Sequence, residues 1–494
     1  MSLHSEKTRE EHDVVIIGAG PAGSAAGLAL SSAGKKVCLL EQLDRAGGLS
    51  RTLARHGARF DIGPHRFFTK SDRVLNVWKT AGTGELIEVE RLTRILYRNH
   101  LLNYPLQPMN ALAGLGIWNS IGAMASYAAA CGRRWCSSKS VDSFEDWVTM
   151  QFGSVLYQCF FKTYTEKVWG ISCRDISASW ASQRIKNLNL PRAVLNAFTR
   201  GRLSHIKTLV DRFLYCRHGA GSVYEAMCAR IAAQGGHFRP NEEVIKIRHD
   251  GRGSITSVLA RAGEQLLEYK TNHLISSMPL TELIRRLDPA APRDVLDAVN
   301  QLRYRTHISV NLLVNGNPFP DNWIYVHSPE VHMGRVANYR NFSAAMCPDQ
   351  RLTPLTFEYF TFDGDEVSSL NDSLLVDLAL SEGRRVGLLD GHPPVDAFVV
   401  RSPRAYCVIQ RGHEKPVEQI KSYLAGFRNL ATVGRAGMFK YNNQDHSIMT
   451  GLLAADNLLG GCLDVWSVNI DAEYHESGTA PDLCVEDREE VYFE

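Results

Sequence analysis

A chain of 494 residues exceeds what one simple hydrophobic core holds, so two or three domains are expected. Its 44% hydrophobic and 22% charged residues are the make-up of a soluble globular protein. Lys and Arg number 55 against 53 acids, a net charge of +2 that offers no overall field for nucleic acid and leaves room only for a local basic cleft that grips a phosphate. The eleven cysteines, an odd number without a C-x-x-C pair, give no disulfide framework and no zinc site, and read as reduced thiols of a cytoplasmic protein.

Residues 1–12 are polar and charged, without the apolar stretch of a secretory signal, and read as a mobile N-terminus. Residues 13–42 have the pattern strand, turn, helix, strand: the β-branched run Val14–Ile17, an apolar helix over 22–33, and a second strand over 36–40. From Leu101 to about Ser204 the chain turns helical, and Ser143-Phe144-Glu145-Asp146 resembles a capping box ahead of Phe144, Val148, Phe152, Leu156 and Phe160 at helical spacing. Within this stretch residues 114–131 are nearly free of charge but diluted by glycine, serine and asparagine. They predict a buried helix, not a span, with contact to a membrane surface as the weaker alternative.

Strands are predicted at 243–247 and 273–277, and several alternating runs follow over 303–400, including 307–314 and 355–360, as in a sheet with one face turned to a ligand. A last strand at 430–434 precedes an apolar helix near 448–459, and residues 471–494, with nine acids and one arginine, read as a mobile tail.

The chemistry starts at Gly18-x-Gly20-Pro21-Ala22-Gly23. Gly18 permits a tight turn, Gly20 a close approach of backbone to a pyrophosphate, and Gly23 the packing of helix on strand. Glu41, 23 residues after Gly18 and followed by Gln42, stands at the end of the second strand, where an acid accepts ribose hydroxyls. These residues announce a dinucleotide. The next stretch, Arg45-Ala46-Gly47-Gly48-Leu49-Ser50-Arg51-Thr52, resembles the second FAD motif of the amine oxidase and protoporphyrinogen oxidase superfamily, with Arg45 or Arg51 offsetting phosphate charge. Gly434-Arg435 with the helix after it resembles the third FAD segment, and Val244 belongs to the strand that completes the cofactor site. The resemblance implies FAD, with NAD(P)H left open as its reductant.

Several further segments resemble the UDP-galactopyranose mutases. Gly63-Pro64-His65-Arg66-Phe67-Phe68-Thr69 is similar to their G-x-H-I-F-H-T, and implies that His65 lies at the flavin edge. Phe160-Phe161-Lys162-Thr163-Tyr164-Thr165-Glu166-Lys167-Val168-Trp169-Gly170 is similar to F-x-x-x-Y-T-x-K-Q-W-G. By that resemblance Phe160 and Tyr164, beside Thr165, hold the base, and Trp169 sits nearer the sugar. Leu302-Arg303-Tyr304-Arg305-Thr306 and Asn338-Tyr339 imply that Arg305 and Tyr339 bind a diphosphate, as does Tyr441 in the segment 434–443, with Arg184 and Asn443 as further substrate contacts.

Phe68, Arg66, Phe439 and Asn443 depart from the mutase pattern, and 217–226 with 277–280 look instead like protoporphyrinogen oxidase or desaturase relatives.

The resemblance implies an α/β fold: a Rossmann-like FAD domain of the glutathione-reductase type over 13–100, 205–300 and 400–470, a helical domain for the nucleotide over 101–204, and a mixed β-sheet substrate domain over 301–399. It implies an isomerase-like flavoenzyme acting on a nucleotide sugar through reduced flavin N5, with no metal. The alternative is a flavin oxidoreductase that removes hydride from a C–N or C–C bond. Whether the chain forms a homodimer stays open.

Overall fold

The computed structural model describes residues 7–8, 11–82, 84–104, 117–136, 141–178, 180 and 212–469. The expectations for most of 1–12, for 471–494 and for Arg184 lie outside the described residues.

The fold is mixed α/β, and its first sheet grows from fully apolar runs. Val14, Val15 and Ile16 in the strand His12–Ile17, and all four residues of Val37–Leu40, are buried, as strands covered on both faces must be. These two pair in parallel, Val14 opposite Val37. His12–Ile17 lies in turn beside Gln265–Ser276, which is the hub of a nine-stranded sheet because Leu430–Thr432 also pairs with it, Ile275 opposite Ala431. The antiparallel strands Glu243–His249 and Ile255–Ala262 extend the sheet on the far side of the hub. Three segments far apart in the chain therefore end side by side.

Two helices cover this junction. Pro21–Ser32 begins directly after the glycine turn, and Gln444–Leu458 crosses it where a Cβ on Gly451 would meet the Ala22 carbonyl at 2.1 Å. Gly23 is equally constrained, since its Cβ would fall 1.9 Å from the Gly18 carbonyl.

A second, seven-stranded sheet runs in the order Pro394–Cys407, Tyr304–Asn315, Leu352–Thr361, Arg335–Asn338, Trp323–Val326, Thr93–Tyr97 and His100–Asn103. The last two differ from the sequence expectation, which left 93–100 with the cofactor domain and read 101–103 as the start of the helical one. Thr93–Tyr97 instead pairs in parallel with Trp323–Val326, a long-range partner that nothing local in the sequence announces. Pro394–Cys407 likewise runs through the boundary drawn at residue 400 as one strand.

The helical insert is capped as expected: the Ser143 hydroxyl accepts from the Asp146 N–H at 3.1 Å, and Phe144, Val148 and Phe152 are buried. The helix Ile117–Cys136 differs from expectation. Ala123 and Ala130 are buried, whereas Trp118 is 83% exposed, so only one side of it enters the core.

The crossing of the two glycine-spaced helices yields a test. Gly451→Leu drives a side chain into the Ala22–Ala26 backbone and is expected to lower stability by about 1–3 kcal/mol. Thermal melting should show the loss together with reduced flavin absorbance in the purified protein.

Candidate active site

Both sheets wall a single cleft with a cavity of about 470 Å³. At one end Gly18, Gly20, Pro21 and Ala22 line it. Gly18 has φ +92°, and a Cβ there would strike the Ser277 hydroxyl at 2.2 Å. Gly20 faces Gly48 across the cleft floor, and a Cβ on Gly48 would come within 3.2 Å of the Gly20 Cα. The floor is thus bare backbone. The first turn of Pro21–Ser32 has Gly20 as its N-cap with no side-chain cap, so its N–H groups are left for an anion.

Glu41 is buried at the rim of this floor, its Oε2 accepting from the Ala19 N–H at 2.8 Å and its Oε1 from the Leu43 N–H at 2.9 Å. Burial raises its pKa against those two hydrogen bonds. Gln42, Leu49, Val244 and Gly434 complete the lining. Arg51, not Arg45, reaches the cleft, donating to the Gly48 carbonyl at 2.7 Å. Arg45 pairs with Asp44 at 2.7 Å and lines a separate pocket with Arg59, His218 and Glu225.

These residues fit FAD: a glycine floor where Cβ atoms on Gly18 and Gly48 would be crowded, an uncapped helix start for the pyrophosphate, and a buried acid for the ribose.

Beyond the floor the cleft turns polar. His65 lines it, and burial together with Arg435 holds this imidazole down to about 3, so it is neutral at physiological pH. Opposite stands a buried ion cluster. Glu358 takes Arg335 side-on, Nε at 2.9 Å and Nη2 at 2.5 Å, and takes His307 Nε2 at 2.8 Å. Burial alone would raise the Glu358 carboxyl, but Arg335 and then His307 hold it at about 2. Gly63 leaves the space, since a Cβ on it would lie 3.3 Å from Glu358 Oε2. Arg435 donates Nε to the Asn442 carbonyl at 2.7 Å and lays its guanidinium over Tyr441 at 4.7 Å and Tyr406 at 5.3 Å. Trp323, Tyr325 and Arg66 complete this end, and Asn443 lines the cleft as N-cap of Gln444–Leu458.

Of the expected substrate residues, Tyr441 and Asn443 line this cleft, and several others stand behind its wall. Arg305 is covered: it donates to the carbonyls of Phe360 and Lys167, lies 4.4 Å over Phe362, and burial lowers its pKa to about 10. Tyr339 is fully buried and donates to the Asp61 carbonyl at 2.7 Å, so it braces the loop leading to His65. Tyr164 stacks on His327 at 4.7 Å, and Trp169 lies 5.6 Å from Tyr441 and 6.4 Å from Tyr406, one layer behind the lining. Phe160 and Thr165 are buried in packing.

Sequence reasoning missed Arg335, Glu358, His307 and Tyr406. The signal available was a charged residue inside an apolar alternating run, Glu358 within 355–360, because a buried charge is kept only when paired.

Among the described residues no group of three His, Cys, Asp or Glu side chains converges as a metal site.

The family model of flavin containing amine oxidoreductase matches residues 21–458. Phytoene desaturase (neurosporene-forming) of Cereibacter sphaeroides is 34% identical over 283 residues, 51% of this chain and 50% of that protein. The Rhodobacter capsulatus protein of the same name is 38% identical over 78 residues, 16% of this chain and 15% of its own length. The alignments therefore span half or less of these curated relatives. Among solved structures, reduced UDP-galactopyranose mutase superposes with a TM-score of 0.79 at 23% identity, covering 93% of this chain and 98% of that one. Cyclohexylamine oxidase of Brevibacterium oxydans gives 0.62 at 16%, covering 91% and 99%. These likenesses establish the fold, and the cofactor is FAD.

Glu358→Gln tests the ion cluster. It leaves Arg335, whose side chain is 16% exposed, without a counter-charge and is expected to cost about 3 kcal/mol in urea unfolding at neutral pH. Because the folded pKa of Glu358 lies below its ordinary 4.5, its contribution is present above that pH and lost as pH falls toward 2, so the gap between wild type and variant should narrow in acid.

Proposed function

Because this chain belongs to the flavin-containing amine oxidoreductase family, its open question is what the flavin acts on, and we propose a nucleotide sugar, converted without net redox change as in the UDP-galactopyranose mutases. The observation that carries this reading is the wall of the cleft beyond the glycine floor. Arginines 66, 335 and 435 and tyrosines 325, 406 and 441 stand there, where a site for a neutral hydrocarbon or an alkyl amine calls for aliphatic and aromatic lining. Planar guanidinium groups and phenol hydroxyls suit phosphate oxygens and sugar hydroxyls.

When bound, reduced FAD supplies the electron pair that an exchange of sugar ring form requires. The protein's residues do the rest. Glu358 engages Nε and Nη2 of Arg335, so Nη1 is the nitrogen that remains for a ligand oxygen. Arg435 adds positive charge beside the Tyr406 and Tyr441 rings, and both groups stabilise a diphosphate as it leaves. His65, neutral, adds a polar contact without competing for that anion.

Removal of hydride from carbon is the second reading, favoured by the desaturase relative that matches half the chain.

Titration of the purified flavoprotein with UDP distinguishes them. The mutase-like reading expects millimolar or tighter UDP to perturb the flavin absorbance, and Tyr441→Phe to weaken that binding about 3- to 10-fold by removing one hydroxyl donor. A spectrum indifferent to UDP, with bleaching of oxidised flavin by an amine or polyene, would establish the second reading instead.

A further inference from the structure

The helix Ile117–Cys136 packs by one side only. Ala123 and Ala130 are buried, a Cβ on Gly122 would lie 3.9 Å from Val155, and the Ser126 hydroxyl meets Ser154 at 3.0 Å. At 100° per residue these positions share one half of the helix. The opposite half carries Trp118 at 83% exposure, Ile121 at 54% and Met124 at 62%, followed by exposed Ala125, Ala128, Ala129 and Gly132. Arg133, exposed at the C-terminal end, flanks this stripe at the angular position between Gly122 and Ser126.

This inverts the usual arrangement, in which a surface helix turns polar residues outward. Scattered apolar residues on a surface are ordinary, but a continuous outward stripe headed by tryptophan is not.

Charge decides what such a stripe meets. Residues 101–141 contain no Asp or Glu, although the chain carries 53 acids, and their charged residues are Arg133, Arg134 and Lys139. Among the described residues no helix is long and apolar enough to cross a membrane, so this one suits lying at an interface. Tryptophan favours the headgroup boundary, and arginine at the helix end suits lipid phosphate.

We propose that the outward face of Ile117–Cys136 docks this enzyme peripherally on an anionic lipid bilayer, with Ile121 and Met124 inserted among the acyl chains and Trp118 and Arg133 at the headgroup boundary. The proposal is independent of which substrate the flavin cleft takes, because among the described residues none of this helix lines that cleft.

The full-length holoprotein is tested by sedimentation with vesicles of equal parts phosphatidylcholine and phosphatidylglycerol, and with phosphatidylcholine vesicles alone. Binding is expected to the mixed vesicles, to be weaker on the neutral ones, and to fall as salt rises. The triple variant Trp118→Ser, Ile121→Ser, Met124→Ser should bind about tenfold or more weakly while keeping its flavin spectrum and melting temperature, because these side chains point away from the core. Arg133→Glu should weaken binding to the anionic vesicles selectively. Failure of the wild-type holoprotein to sediment with either vesicle overturns the proposal. So does a wild-type dimer that the triple variant converts to monomer, since a second copy would then be what covers the face.

Discussion

Everything in the cofactor half depends on one close contact, that of the helices Pro21–Ser32 and Gln444–Leu458 at Ala22 and Gly451. With 2.1 Å between a notional Gly451 Cβ and the Ala22 carbonyl, only a hydrogen fits. The contact fixes both helix starts toward the same cleft, one capped by bare Gly20 and the other by Asn443. Gly434, at φ +82° and 3.3 Å from the Ala22 methyl by its notional Cβ, ties the end of Leu430–Thr432 into the same spot. Segments separated by some four hundred positions in the chain thus present backbone, not side chains, to the cofactor, which is what a large, flat, charged ligand requires.

The second sheet meets that junction with a different material. Glu358 and Asp61 are both wholly buried carboxylates within reach of the His65 loop, yet their environments push them apart. Glu358 faces a guanidinium and stays ionised, held at about 2. Asp61 has three neutral donors, from Thr52 at 2.5 Å, Tyr215 at 2.6 Å and the Ala220 N–H at 3.3 Å, and burial wins over them to raise it to about 6. One acid holds a cation for the cleft. The other staples Thr52, which follows Arg51, to the loop carrying Gly63 and His65 through hydrogen bonds from neutral donors. Tyr339, donating to the Asp61 carbonyl, belongs to that staple.

Sequence was informative where function is written in contiguous residues. The glycine turn, Gly48 and Gly434 work through local backbone conformation and Glu41 through its place after a strand, so short motifs and their resemblance to known FAD segments named residues that line one cleft. It was uninformative where position depends on pairing between distant strands. Arg305 and His307 are two residues apart, which in a regular strand puts both on one face. The pairing of Tyr304–Asn315 with Pro394–Cys407 slips between them, so His307 lines the cleft while Arg305 is carried under Gly170 to the Phe360 and Lys167 carbonyls. Gly170 is the counterpart of that placement, since a Cβ there would lie 1.8 Å from Arg305 Nη1. A bulge of this kind re-aims a side chain without leaving a mark in the residue pattern. The same holds for Thr93–Tyr97, whose parallel partner lies more than two hundred residues away.

The polar end of the cleft also carries an energetic argument about purpose. A buried arginine and glutamate stabilise a fold little compared with apolar residues of the same volume, because desolvation offsets most of their attraction. Arg335, Glu358 and His307 share the cleft-side face of their sheet with buried Ser309, Asn311 and Thr356, whereas the opposite face, with Val310, Leu312, Phe357 and Val336, is an apolar core. Stability alone would fill those positions with more of the same. A rigid cation held side-on, with one nitrogen turned away from its carboxylate, is instead the arrangement that meets an anionic ligand with little reorganisation. The shared scaffold accounts for the flavin, and on the proposed reading these few residues, absent from the glycine motifs, are where a choice of substrate resides.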